Sequence, residues 1–156
     1  MPEVTRTVIV NHTPAEMFEL IDAVESYPQF LPWCGAATVL HRDEAVTRAT
    51  LTINFHGIRQ SFTTENAKRA PHEMKIRLVD GPFRSMDGAW RLTALGAGGC
   101  KIEFHLEYEF ASRLLEKLVG PVFGRIAGSL VEAFVRRAEQ RGRGPGTGDR
   151  GPENSS

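Results

Sequence analysis

Between Ser112 and Gln140, apolar residues fall in pairs at every fourth position: Leu114/Leu115, Leu118/Val119, Val122/Phe123, Ile126/Ala127, Leu130/Val131, Phe134/Val135, then Ala138. This spacing predicts one long helix with a broad apolar stripe. A strict four-residue repeat drifts by about 40° per step against a 3.6-residue turn, so the stripe winds slowly and needs a large, curved apolar surface to lie on. Ser112 is the expected N-cap. Pro121, which lacks a donor and crowds the carbonyl four residues back, predicts a kink or break inside the pattern. Gly124, Ala127 and Gly128 are small, so backbone or ligand can approach closely there.

The rest of the chain is dominated by period-two alternation. Glu3–Asn11, rich in Val, Ile and Thr, reads as a strand. Thr13, Pro14 and Glu16 form a capping-box signature with Pro at the first helical position. The helix they open carries Met17, Phe18, Leu20, Ile21 and Val24 on one face and ends near Ser26. Further strands follow at 37–41, 46–55, 58–66, around Met74–Val79, around Met86–Thr93 and at 100–110, separated by turn signals about every ten residues. Cys100–Phe110 alternates most clearly. Ile102, Phe104, Leu106, Tyr108 and Phe110 face one way; Lys101, Glu103, His105, Glu107 and Glu109 face the other. One face buried and one wet is the mark of an antiparallel meander. A sheet with one apolar face and a long apolar-striped helix solve each other's burial if the sheet curls around the helix. The expected fold is α+β: a curved antiparallel sheet of six to seven strands wrapped around a long C-terminal helix. Residues 1–141 read as one domain and 142–156, almost without apolar side chains, as a disordered tail.

Tyr27-Pro28-Gln29-Phe30-Leu31-Pro32-Trp33-Cys34 breaks both patterns. Its two prolines oppose a regular element, yet it is too apolar for a solvated loop. It reads as a helical turn plus an extended piece pressed onto apolar surface, either a lid over a cavity or a packed corner.

Composition narrows the function. With 19 Lys+Arg and 19 Asp+Glu the formal charge is zero, which gives no bulk argument for nucleic acid and none for DNA in particular. Residues 112–156 hold eight basic and five acidic residues (+3), and residues 1–111 hold eleven and fourteen (−3). The two cysteines, Cys34 and Cys100, are far apart and read as buried small hydrophobes. No run of about 18 apolar residues predicts a membrane span, and no signal peptide precedes the first strand. The expected location is cytoplasmic.

No catalytic set emerges. The five histidines fall at turns or on wet faces, without metal-ligand spacing, and no phosphate loop or nucleophile elbow is present. Glu103, Glu107 and Glu109 lie on a solvent face. What remains is apolar volume, which suits a pocket for a hydrophobic ligand. A second feature is the basic cluster of Arg136, Arg137, Arg141, Arg143 and Arg150, which lacks the interleaved aromatics of a single-strand binder.

Several segments together resemble a known family: Ser26–Cys34, Phe62-Thr63-Thr64, Leu78-Val79-Asp80-Gly81-Pro82-Phe83 with Gly88-Ala89-Trp90, Ile102–Leu106, and Val131-Glu132-Ala133-Phe134. Their order from Met1 to Arg137 is similar to that of the coenzyme Q-binding START-domain family (polyketide cyclase and lipid transport-like), most of all its bacterial branch of RatA-type ribosome association toxins. The resemblance implies the helix-grip (START/Bet v 1-like) fold. It also implies binding of ubiquinone or a related isoprenoid in support of respiratory electron transport, without enzymatic activity or a cofactor. The alternative it implies is a toxin that binds the large ribosomal subunit and blocks subunit association; a third is a polyketide cyclase or aromatase, which would need a polar group such as Arg48 or His105 turned into the cavity. With the apolar profile, it points to a cavity walled by Phe55, Phe62, Trp90 and Phe104 from the sheet and Phe123, Ile126, Ala127 and Leu130 from the helix. Tyr27, Phe30, Leu31 and Trp33 would form its rim or lid. Loading a quinone or other isoprenoid lipid implies transient membrane contact, peripheral at the inner membrane. Arg136, Arg137 and Arg141 are the candidate ribosome contacts, and no metal is expected.

Overall fold

Strand β1 (Glu3–Val10) leads through the Thr13 cap into helix α1 (Pro14–Asp22) and a 3₁₀ turn (Val24–Gln29). Six more strands follow: β2 (Cys34–Arg42), β3 (Val46–Phe55), β4 (Ile58–Arg69), β5 (Glu73–Asp80), β6 (Phe83–Leu95) and β7 (Gly99–Phe110). Helix α2 (Arg113–Gly142) closes the chain. This computed structural model describes residues 2–142. The seven strands form one antiparallel sheet in the order β1-β7-β6-β5-β4-β3-β2, so β1 crosses over to pair with β7 and the rest is a meander.

Local chemistry places the elements where the pattern put them. Thr13 Oγ1 accepts from the Glu16 amide at 3.1 Å, and Glu16 Oε1 accepts from the Thr13 amide at 2.8 Å, the reciprocal capping box. Ser112 Oγ accepts from the Leu115 amide at 3.1 Å and so caps α2. His56 and Gly57 both have positive φ (51° and 79°), as a two-residue hairpin turn requires, and they set the β3–β4 register from Phe55↔Ile58 to Val46↔Ala67.

Two expectations about the ends and middle of helices change. α1 stops at Asp22, and Val24–Gln29 continues as a 3₁₀ turn with Pro28 inside it; the tighter turn keeps Val24 and Tyr27 buried. α2 is not broken at Pro121: it runs unbroken from Arg113 to Gly142. Pro121 costs the Lys117 carbonyl its donor, but Lys117 is exposed and water can replace it, while Val119, Phe123, Ile126, Ala127 and Val131 stay packed on the sheet. By length and composition α2 also meets the criterion for a membrane span, with mean hydropathy 1.5 over 18 residues; in this fold its apolar stripe is the surface that the sheet grips. Gly142, expected as the start of the tail, is the last residue of α2; the remainder, 143–156, lies outside the described residues.

One polar cluster fixes α1 to the sheet. Asp22, at the helix C-terminus where a carboxylate opposes the dipole, accepts from Thr47 Oγ1 at 2.7 Å and from Lys68 Nζ at 3.0 Å. The Lys68 side chain is only 5% exposed, and Asp22 is its ion-pair partner. Asp22→Ala should lower stability by about 3 kcal/mol, because it strands a buried ammonium, whereas Lys68→Met should cost under about 1 kcal/mol. Urea midpoints of the two variants check this; equal losses would show that the pair is not coupled in this way.

Candidate functional site: an apolar cavity between sheet and helix

The concave face of the sheet carries two aromatic clusters. Phe62, Phe83, Tyr108, Phe110 and Phe123 meet at one end, with Phe83 and Phe123 ring centroids 4.9 Å apart. Tyr27, Trp90, Phe104 and Phe134 meet at the other, with Trp90–Phe104 at 4.4 Å and Tyr27–Phe134 at 5.3 Å. Between them the packing opens into a cavity of about 710 Å³, counting its open part, of which about 90 Å³ admits the centre of a water-sized sphere. The smaller figure, which leaves out open solvent, lies well below the usual range for small-molecule sites, so only a small group enters without repacking of the wall.

Seven of the eight expected wall residues line this cavity: Phe62, Trp90, Phe104, Phe123, Ile126, Ala127 and Leu130. Phe55 does not. It is the last residue of β3, packs edge-on to His56 at 4.1 Å and borders a surface groove with Leu31, Pro32, Trp33, Arg125 and Arg136. Alternation put it on the inner face, but strand twist and the adjoining hairpin turn carry it beyond the cavity. Of the small residues on α2, only Ala127 faces the cavity; a Cβ on Gly124 would meet Tyr108 Oη at 3.8 Å, and one on Gly128 would meet Arg6 at 3.6 Å.

The Pro-flanked segment divides in the same way. Tyr27 and Trp33 line the cavity, whereas Phe30 and Leu31 do not. Leu31 is buried and lies at the surface groove. Phe30 is half-buried, 5.4 Å from Phe134, with the Arg137 guanidinium 5.1 Å above its ring. Arg137 also donates to Gln29 Oε1 at 2.8 Å. The segment is thus a packed corner whose inner side chains form one wall. Tyr27 Oη donates to the Ile21 carbonyl, and burial pushes its pKa well up. Burial likewise raises the Cys34 thiol to about 11, in keeping with an inert buried cysteine; both cysteines are free and buried.

Sequence reasoning missed the polar lining. Thr64 and Asn66 follow Phe62 on the inner face of β4, both buried, and both line the cavity. Arg48 and His105 point away from it. Arg48 pairs with Glu65, and His105 sits on the outer face between Thr5 (3.1 Å) and Glu107 (2.9 Å). The β1–β7 register (Glu3↔Glu107) also brings ligand-type atoms of Glu3, His105 and Glu107 within 4.8 Å of one another. Sequence spacing could not show this, because the residues come from two strands; the triplet lies on the solvent face. Arg136 and Arg141 are exposed, but Arg137 is engaged with Phe30 and Gln29, so the three arginines do not make one free basic surface. Arg143 and Arg150 lie outside the described residues.

A curved antiparallel sheet gripping a long C-terminal helix around an apolar cavity defines the helix-grip, START-like class of ligand-binding folds. Residues 10–135 match the family described as polyketide cyclase / dehydrase and lipid transport, and the chain belongs to that family, in its RatA-type branch. It is 38% identical over 140 residues to the ribosome association toxin RatA of Escherichia coli K12, covering 90% of this chain and 89% of that one. It is 26% identical to a mitochondrial coenzyme Q-binding protein, COQ10 homolog B, of Xenopus laevis, covering 87% of this chain and 57% of that one. A START superfamily protein from Mycobacterium smegmatis has the same fold, with a TM-score of 0.70 at 21% identity over 88% of this chain and 97% of that one.

The corner that holds Tyr27 is clamped electrostatically. Arg42 on β2 donates to Glu25 Oε1 at 2.8 Å and Oε2 at 3.1 Å and to the Asp22 carbonyl. The Arg42 hydrogen bonds hold the Glu25 carboxyl below the usual glutamate range, against a smaller opposing effect of burial. A lowered folded-state pKa adds stability that is complete above the ordinary glutamate value and is lost as pH falls through the lowered one. In Arg42→Ala, NMR titration should find Glu25 back near the ordinary range, and the stability gap to wild type should shrink as pH drops through the wild-type Glu25 pKa. A gap constant with pH would assign the effect of Arg42 to its bond with the Asp22 carbonyl.

Proposed function

We infer that the protein is a non-enzymatic binder of a hydrophobic isoprenoid lipid, most simply a ubiquinone, held in the cavity under α2. The observation that carries this is the cavity wall itself. Phe62, Trp90, Phe104, Phe123, Ile126 and Ala127 present apolar surface, and none of the lining side chains is charged. Burying the ring end and the first carbons of a polyprenyl chain there gains about 0.8 kcal/mol per CH₂, so affinity needs no ionic anchor. With Arg48 and His105 outside, the inward-facing groups are a threonine, an asparagine and a tyrosine, which offer no general base near neutral pH; this favours a carrier or chaperone over a cyclase. The coenzyme Q-binding relative supports the same ligand class. Such a protein would work in the cytoplasm with transient contact at the inner membrane and would serve respiratory electron transport.

Ala127→Trp would fill the cavity from the helix side. Native mass spectrometry after incubation with ubiquinone-loaded vesicles should show one quinone per wild-type chain and at least about tenfold less on the folded variant. Equal uptake by the variant would count against the cavity as the binding site.

A second reading, association with the large ribosomal subunit, is favoured by the 38% identity to a ribosome association toxin along 90% of the chain. Arg136 and Arg141 are exposed and free of the Phe30 contact, so they are the proper test. Their joint charge reversal should abolish co-sedimentation with large subunits at low salt. Undiminished co-sedimentation would move the contact elsewhere on the surface.

A further inference from the structure

Asn66 is 7% exposed, lines the cavity, and its Oδ1 is a buried acceptor that no group among the described residues reaches. Thr64, 8% exposed and two positions along the same inner face, lines the cavity beside it. A buried amide oxygen without a donor costs about 1–3 kcal/mol, and native proteins tolerate few of them. Lys68, the next residue on that face, donates to Asp22 at 3.0 Å and makes no bond to Asn66 Oδ1. Thr47, the cross-strand partner of Asn66 on β3, donates its hydroxyl to Asp22 at 2.7 Å, and the cavity walls Met74, Ile76, Met86 and Leu130 are apolar.

We propose that Asn66 and Thr64 form the head-group site of the cavity, and that it takes an amphiphile whose apolar body ends in an uncharged hydroxyl. This rests on the lipid-binding reading and specifies its ligand. A hydroxyl both donates and accepts, so it satisfies the Asn66 carbonyl and pairs with the Asn66 amide or the Thr64 hydroxyl as well. A carbonyl only accepts and leaves Oδ1 orphaned. A carboxylate or phosphate would enter a pocket with no cation in its lining. Among quinone-type lipids the site therefore selects the quinol over the quinone.

The geometry also orients the ligand. Asn66 pairs across to Thr47 and Ile76, eight positions along β4 from Ile58 at the hairpin end, about 25 Å at 3.3 Å per residue. Phe55 and the surface groove lie toward that hairpin end, and Trp33 and Ile126 line both the groove and the cavity. Trp33 and Ile126 are the partition between inside and outside. The head sits deep at Asn66, and the tail runs past Phe62 toward the partition. At about 10–15 Å³ per water-sized group, the 90 Å³ core holds a ring and a few carbons, so a long tail leaves through the groove.

The test compares 4-nonylphenol with its methyl ether, 4-nonylanisole, by competition against a fluorescent apolar probe. Wild type should bind the phenol about tenfold more tightly, one neutral hydrogen bond's worth. Asn66→Leu should abolish that preference while keeping the affinity for the ether, and the ligand-free variant should melt no lower than wild type, since it removes an unpaired buried group. Equal binding of both probes by wild type would overturn the head-group site and leave the cavity standing; this comparison needs no variant. Failure to bind either probe would overturn the lipid-binding reading along with it. A destabilised Asn66→Leu that loses both ligands equally would make Asn66 a structural residue and refute the proposal.

Discussion

One burial problem shapes the molecule: the concave face of seven strands has a single long helix to cover most of it. β7 alone turns Cys100, Ile102, Phe104, Leu106, Tyr108 and Phe110 inward, and the inner faces of β3–β6 add Ile53, Phe62, Met74, Met86, Trp90 and Leu92. Each large side chain contributes about 1.5–3 kcal/mol if covered. One helix about 10 Å wide with its side chains cannot touch every strand of such a sheet. Curvature brings the strands to the helix, and the two aromatic clusters mark where contact is complete. The interval between them, where Ala127 takes the place of a larger residue, is where contact fails and the cavity opens.

The corner of α1 and the 3₁₀ turn follows from the same deficit. It covers the part of the sheet that α2 leaves open, packing Met17, Ile21 and Tyr27 into the core. Its attachment is polar at the outside, through Asp22, Glu25, Arg42 and Lys68, and aromatic at the inside, through Tyr27, Phe30 and Phe134. A segment with two prolines has few backbone hydrogen bonds of its own, so these side chains fix its position, and with it the Trp33 wall of the cavity.

The elements legible in the sequence were those with a strict period. Val46–Phe55 and Cys100–Phe110 alternate so cleanly that their strands match within a residue, and the four-residue repeat of α2 survives a proline because tertiary packing outweighs one lost hydrogen bond. Legibility failed where position within the element matters more than period. Phe55 has the right phase but sits at a strand end, where twist and the turn redirect it. Phe30 and Leu31 look like lid residues by composition, yet only the three-dimensional corner shows that they brace Tyr27 and Trp33 from behind. Thr64 could be phased with Phe62, but β4 is polar on both faces beyond it (Thr63, Thr64, Glu65, Asn66), so period two says nothing about which side is buried.

That silence has a physical source. In an apolar pocket the body of a ligand is recognised by area, which almost any hydrophobic wall supplies, and discrimination comes from the few polar atoms that would otherwise be left unpaired. Those atoms violate the burial pattern by necessity, so a reading based on pattern assigns them to the wet face or to nothing. Among the described residues the violation is confined to Thr64 and Asn66 on β4 and to Thr47, which pairs with Asn66 from β3. Lys68 is neutralised by Asp22, Thr47 is satisfied by the same carboxylate, and among the described side chains Asn66 alone keeps a buried acceptor without a partner. Asn66 carries this unpaired oxygen on a residue that lines the cavity, and the apolar walls of sheet and helix offer area but no such direction.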